Sequence, residues 1–78
     1  MPKVSAYTLF HTEACHLCEQ AQAIIATLDI DYALQDICDD DVLAERYGVR
    51  IPVLRNQEDG SELDWPFDRE QLQQFTGV

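Results

Sequence analysis

The chain has 78 residues, 46% of them hydrophobic, and carries fifteen acidic against five basic side chains for a formal net charge of −10. That length points to one domain, residues 1–78, with a modest core, and the hydrophobic content is too high for a disordered chain. The charge weighs against nucleic acid, whose phosphates it would repel, and against anionic membrane surfaces.

Val4 to Phe10 is β-branched and aromatic enough to read as a strand, and its apolar residues on both faces suggest a buried one. The sequence before it, Met1-Pro2-Lys3, has none of the apolar run of a secretory signal. His11 to Ala14 form a polar loop. From Cys15 the period changes: Leu17, Ala21, Ile24, Ile25 and Leu28 recur at steps of three and four, an amphipathic helix. Asp29 and Asp31 bracket a turn, and Ile30 to Ile37 read as a second strand.

Asp39-Asp40-Asp41 suits a solvated helix start, where carboxylates cap free N–H groups and meet the positive end of the helix dipole. A cation site there is disfavoured, because successive helical side chains point in different directions. Val42 to Tyr47 continue this helix, and Gly48 suits its C-terminal end. Val49 to Leu54 read as a strand in which Pro52 signals an edge or a special peptide bond. Asn56 to Gly60 is a turn cluster and Ser61 to Trp65 the returning strand. Asp68 can cap a last helix, Arg69 to Phe75.

The order β-α-β-α-β-β-α specifies an α/β fold. Its first half is a right-handed, parallel βαβ unit and its second a hairpin with a helix. A four-stranded mixed sheet with helices on both faces uses every element. No stretch approaches the roughly 20 apolar residues of a membrane span. Three cysteines, two of them as Cys-X-X-Cys, fit a reducing compartment, so the cytoplasm is the expected location.

Cys15-His16-Leu17-Cys18 carries the chemistry. It follows a strand and opens a helix, where unpaired N–H groups and the dipole stabilise a thiolate, the reactive form of cysteine. Two other readings remain. The pair could be two inert core cysteines, or His11, Cys15, His16 and Cys18 could bind zinc, although a helix start does not easily aim all four at one ion. Cys38 reads as a half-buried spectator or an accessory thiol.

Two segments then stand together. Leu9-Phe10-His11-Thr12-Glu13-Ala14-Cys15-His16-Leu17-Cys18 is a strand ending in the Cys-X-X-Cys loop. Tyr47-Gly48-Val49-Arg50-Ile51-Pro52-Val53-Leu54 places a proline at the head of a later strand. With the hairpin and final helix, they resemble the glutaredoxin-like branch of the thioredoxin superfamily over nearly the whole chain. Asp64-Trp65-Pro66-Phe67 resembles a subgroup of small bacterial members.

The resemblance implies a thioredoxin-like fold and thiol–disulfide oxidoreductase activity, with Cys15 as nucleophile and Cys18 as resolving thiol. It implies a cis Ile51-Pro52 bond facing the cysteines, with the Ile51 backbone N–H and C=O offered to an extended substrate. Asp68 would stand in for the family's substrate-binding aspartate. His16, read from its own chemistry, is either an imidazolium beside Cys15 that further favours the thiolate or an exposed polar loop residue. Trp65 and Phe67 are either core or one wall of the substrate groove.

The partners so implied are a disulfide-containing protein or small thiol and a thiol reductant, with the protein acting as a monomer. No bound cofactor is expected, and glutathione is a candidate reductant. Three departures count against glutathione: His16 and Leu17 replace the family's usual proline and tyrosine, Thr12 and Glu13 occupy the region of a carboxylate-binding lysine, and Glu62 to Asp68 hold no glycine pair. Alternatives of other classes are a thioredoxin-fold protein-binding module with little turnover and a metal or iron–sulfur carrier.

Overall fold

The computed structural model describes residues 6–77. Within them the chain forms β1 (Tyr7–His11), α1 (His16–Ile25), β2 (Tyr32–Asp36), a short 3-10 turn (Ile37–Asp39), α2 (Asp41–Tyr47), β3 (Val53–Asn56), β4 (Glu62–Asp64) and α3 (Arg69–Thr76). The sheet order is β2-β1-β3-β4. β1 pairs in parallel with β2 and antiparallel with β3, and β3 pairs antiparallel with β4. This is the expected α/β architecture with a four-stranded mixed sheet. Val4, placed in the first strand by sequence, and Met1-Pro2-Lys3 lie outside the described residues.

Strand alternation divides the core in two. Leu9 of β1 faces the same way as its partner Leu54 of β3, and both pack with Ala21 and Ile25 of α1, Leu28, Phe67 and Leu72 of α3. The neighbouring pair, Phe10 and Val53, points to the other face and packs with Ile37 and with Tyr47 of α2. One face therefore carries α1 and α3 and the other α2, because each helix covers the apolar row beneath it.

Several boundaries move from their sequence positions. β1 runs on to His11, which pairs with Asp36 rather than opening the loop. β2 stops at Asp36, where the carboxylate accepts from the Cys38 N–H at 2.9 Å and turns the chain. α1 ends at Ile25, but Leu28 still reaches the core. The buried stripe of α1 is Cys18, Ala21 and Ile25, whereas Leu17 is 45% exposed. The expected stripe holds at Ala21, Ile25 and Leu28, with Ile24 packed against the core, but its first member is displaced: Cys18 rather than Leu17 takes the inward place in the first turn.

β3 begins only at Val53. Arg50 and Ile51 both donate backbone N–H bonds to the Tyr47 carbonyl, at 2.8 and 3.1 Å, so residues 49–52 close the end of α2 instead of extending a strand. Val49 is fully exposed there. Gly48 follows α2 in right-handed geometry (φ −51°, ψ −38°). A Cβ at this position would lie 2.5 Å from the Ala44 carbonyl oxygen, so close approach rather than a left-handed turn calls for glycine. The Ile51-Pro52 and Trp65-Pro66 peptide bonds are cis.

Candidate active site at the start of the first helix

β1 leads into a turn whose last residue, Ala14, has φ 56°, a left-handed conformation in which the chain reverses to place Cys15. Cys15 is the N-cap of α1, in extended geometry (φ −95°, ψ 100°). Its sulfur accepts the Cys18 backbone N–H at 3.2 Å, taking the place that a serine or aspartate oxygen usually fills at a helix start. Of the two amide donors in reach by sequence, Leu17 and Cys18, it is the Cys18 amide that meets the sulfur.

Cys15 and Cys18 are joined as a disulfide with their Cα atoms 5.2 Å apart. The two sulfurs differ in access: Cys15 is half-buried, whereas Cys18 is 1% exposed and part of the buried face of α1. A reagent from solvent therefore meets Cys15 first.

His16 lies on the open side of the helix start, its Nδ1 3.7 Å from Glu19 Oε2, both side chains strongly exposed. Glu19 is one turn on and competes with Cys15 for any charge on the imidazole. Cys38 is exposed rather than half-buried, because Ile37 takes the inward position in the short turn. Its sulfur lies 3.2 Å from Thr12 Oγ1, in the loop that leads to Cys15. The Cys38 N–H bond, aided by the Thr12 hydroxyl and nearby His11, holds the Asp36 carboxyl below the usual carboxylate range.

Pro52 is fully buried at the head of β3, the strand beside β1. Its carbonyl accepts the Trp65 N–H at 3.2 Å. The Ile51 N–H, expected to be open to a substrate, instead donates to Tyr47 O, because residues 49–52 wrap the end of α2. Asp68 caps α3: its Oδ1 accepts the Gln71 N–H at 2.8 Å, and Gln71 Oε1 accepts the Asp68 N–H at 3.0 Å. Phe67 is buried core, and Trp65 packs edge-on against it with centroids 5.1 Å apart.

A polar cluster beside Pro52 was not anticipated from the sequence. Tyr47 donates its hydroxyl to Glu62 Oε2 at 2.6 Å. Arg50 donates to both carboxylates of β4: Nη2 to Glu62 Oε1 at 2.8 Å, and Nη2 and Nε to Asp64 Oδ1 and Oδ2 at 2.8 and 3.2 Å. Arg55 reaches the Tyr47 hydroxyl and Glu62 from β3. Burial by itself would push the Glu62 carboxyl up, but the Tyr47 hydroxyl and Arg50 guanidinium outweigh it and hold it below its ordinary value. The bonds to Asp64 and Glu62 raise Arg50 still further into its charged form. The alternation of Glu62 and Asp64 was a visible signal, since two residues apart on a strand share a face.

The zinc reading finds no support in this geometry. Cys15 and Cys18 are bonded to each other, and among the described residues no group of three or more His, Cys, Asp or Glu is placed to hold a metal.

A parallel βαβ unit that delivers a Cys-X-X-Cys pair to a helix start, with a proline-headed antiparallel strand beside it, defines a thioredoxin-like protein of the glutaredoxin-like class. The family model described as Glutaredoxin-like domain (DUF836) matches residues 6–76, and the chain belongs to that family. It is similar to target protein XcR50 from X. campestris, whose X-ray structure aligns with a TM-score of 0.85 at 41% identity over 92% of this chain and 96% of that one. The solution structure of XcR50 aligns with a TM-score of 0.75 at 40% identity over 92% of each chain. Protein Ne2328 from Nitrosomonas europaea shares the fold, with a TM-score of 0.69 at 20% identity over 96% of this chain and 94% of that one. No curated protein matches the chain. Among the described residues, no helix is long and apolar enough to cross a membrane.

Proposed function

We propose that this protein is a thiol–disulfide oxidoreductase in which Cys15 exchanges with substrate and Cys18 resolves. The observation that carries the reading is the unequal access of a bonded pair at a helix start: Cys15 at the surface end and Cys18 buried beneath it. In the reductive direction the Cys15 thiolate attacks one sulfur of a substrate disulfide. The other substrate sulfur leaves as a thiolate with the bonding electron pair and takes a proton from water. The Cys18 thiolate then attacks Cys15 Sγ and expels the first substrate sulfur, so two electrons pass to the substrate and the Cys15–Cys18 disulfide remains. A second dithiol or two monothiols return the electrons.

The Cys18 amide supports the first step, because the same N–H that meets Cys15 Sγ in the disulfide can stabilise the thiolate. The Ile51 carbonyl, next to Pro52, is the backbone acceptor for an extended substrate, which docks through its own N–H. Leu17 adds an exposed apolar contact beside the pair. Glutathione is disfavoured as the donor, since Glu13 and Glu19 flank the cysteines in a strongly acidic chain and the guanidinium of Arg50, beside Ile51-Pro52 in sequence, is already paired. Cys38, exposed and outside any disulfide, accords with a reducing compartment such as the cytoplasm.

The test is turnover of a mixed-disulfide peptide and of insulin. Wild type should turn over both. Cys15→Ser should abolish turnover, and Cys18→Ser should trap a covalent mixed disulfide through Cys15. Equal activity of Cys15→Ser and wild type, or a thiol pair that does not react in the wild type, would rule the reading out.

A further inference from the structure

We infer that Arg50 is the positioning residue for the Ile51-Pro52 segment, an inference that rests on the redox reading above. The segment belongs to no strand, so its position must be set by contacts. Three of them converge through Arg50. Its guanidinium grips Asp64 with two bonds and Glu62 with a third, tying residue 50 across to β4. Its charge also lies over the Tyr47 ring, 5.2 Å from the centroid, and that ring stacks on Phe10 at 4.2 Å. Phe10 is the penultimate residue of β1, the strand that runs into the cysteine loop. A continuous set of contacts thus joins the two halves of the site: Phe10 ahead of Cys15, Tyr47, Arg50, and then Ile51-Pro52.

On the far side of Pro52 the backbone completes the arrangement, with Trp65 N–H bonded to Pro52 O and Val53 paired with Asp64. Side chain and main chain therefore fasten the same two segments, 50–53 and 62–65, around the Ile51-Pro52 peptide unit, which the redox reading offers to a substrate. A guanidinium is suited to this task, because its planar fork fixes direction as well as distance, which a lysine ammonium does not. Arg50 also offsets the charge of Asp64 and shares that of Glu62 with Arg55, beside the proline segment of a strongly acidic molecule.

Arg50→Met, Arg50→Lys and Asp64→Asn test this against a mixed-disulfide peptide, with steady-state kinetics and the rate of Cys15 alkylation in the reduced protein as paired readouts. Asp64 is half-exposed, so Asp64→Asn preserves the fold if Arg50→Met does not. Arg50→Met should raise KM about tenfold while kcat stays within about twofold, since substrate alignment is lost but the thiol is untouched. Asp64→Asn should raise KM by about threefold, Arg50→Lys should fall between wild type and Arg50→Met, and the alkylation rate should be unchanged in all three. Unchanged KM in both Arg50→Met and Asp64→Asn overturns the inference, as does a parallel fall in turnover and alkylation rate. Absence of wild-type turnover overturns the redox reading first, and so separates the two failures.

Discussion

The Tyr47 hydroxyl donates to Glu62 Oε2 across 2.6 Å while its ring stacks on Phe10 at a centroid distance of 4.2 Å. One side chain thus spans from the core beneath α2 to the polar cluster beside the proline segment. Tyr47 is 1% exposed, so its hydroxyl has no water to turn to if its partner is lost. Tyr47→Phe should destabilise the fold by about 1–2 kcal/mol in urea unfolding, the loss of a buried bond to a charged group. A change well below that would mean the Arg50 and Arg55 guanidinia satisfy Glu62 unaided.

Glu62 also gives the fold a pH dependence. Its carboxyl titrates below the ordinary value of 4.5 in the folded chain, and Asp36 and Asp59 likewise titrate below 3.8. A depressed folded value means that the unfolded chain binds the proton more readily. The associated stability is therefore fully present above about pH 4.5 and is lost as pH falls through the folded values. The urea midpoint should be flat between pH 7 and 5 and drop below that. Glu62→Gln should start lower at pH 7 and show a shallower acid slope; an identical slope would assign the effect to other carboxylates.

Asp68 offers a simpler measurement. Its carboxylate and the Gln71 side chain satisfy each other's backbone N–H groups at the start of α3. Asp68→Ala should cost about 1 kcal/mol of stability, and Asp68→Asn or Asp68→Ser less than half of that, since both keep a capping oxygen. If Asp68 also contacts substrate, KM will rise in Asp68→Ser even though the cap survives; if it is a cap alone, KM will not change.

His16 tests the electrostatics of the thiol. Its imidazole is exposed and leans toward Glu19 rather than being held against Cys15. His16→Ala should move the alkylation profile of reduced Cys15 to higher pH, by less than about one unit because water screens the interaction. Glu19→Gln should move it the other way by freeing the imidazole. A profile that is unchanged in both variants would remove His16 from the site.

Features that rest on neighbours along the chain are legible in the amino-acid order. The Cys15–Cys18 pair at a helix start, Asp40 and Asp68 as caps, and the alternation of β and α elements all depend on residues within one or two turns of each other, where spacing alone decides which groups can meet. The family resemblance is carried by the same kind of local signal, the cysteine loop and the proline-headed strand.

Long-range pairing sets the rest. The contact of Cys38 with Thr12 spans 26 residues, and the grip of Arg50 on Asp64 spans 14. Both exist only because particular strands lie side by side in a particular register, and nothing local to either residue encodes that register. The first turn of α1 is of the same kind. Ala21, Ile25 and Leu28 face inward as their spacing predicts, but Cys18 is buried where the more apolar Leu17 was expected, and Leu17 stays outside. Local order in the chain is thus enough to specify a cysteine pair on a thioredoxin-like frame. Which cysteine faces solvent, the capture of the Ile51 N–H by Tyr47, and the hold of an arginine on the proline segment emerge only on folding, because each depends on how elements distant in the chain pack against one another.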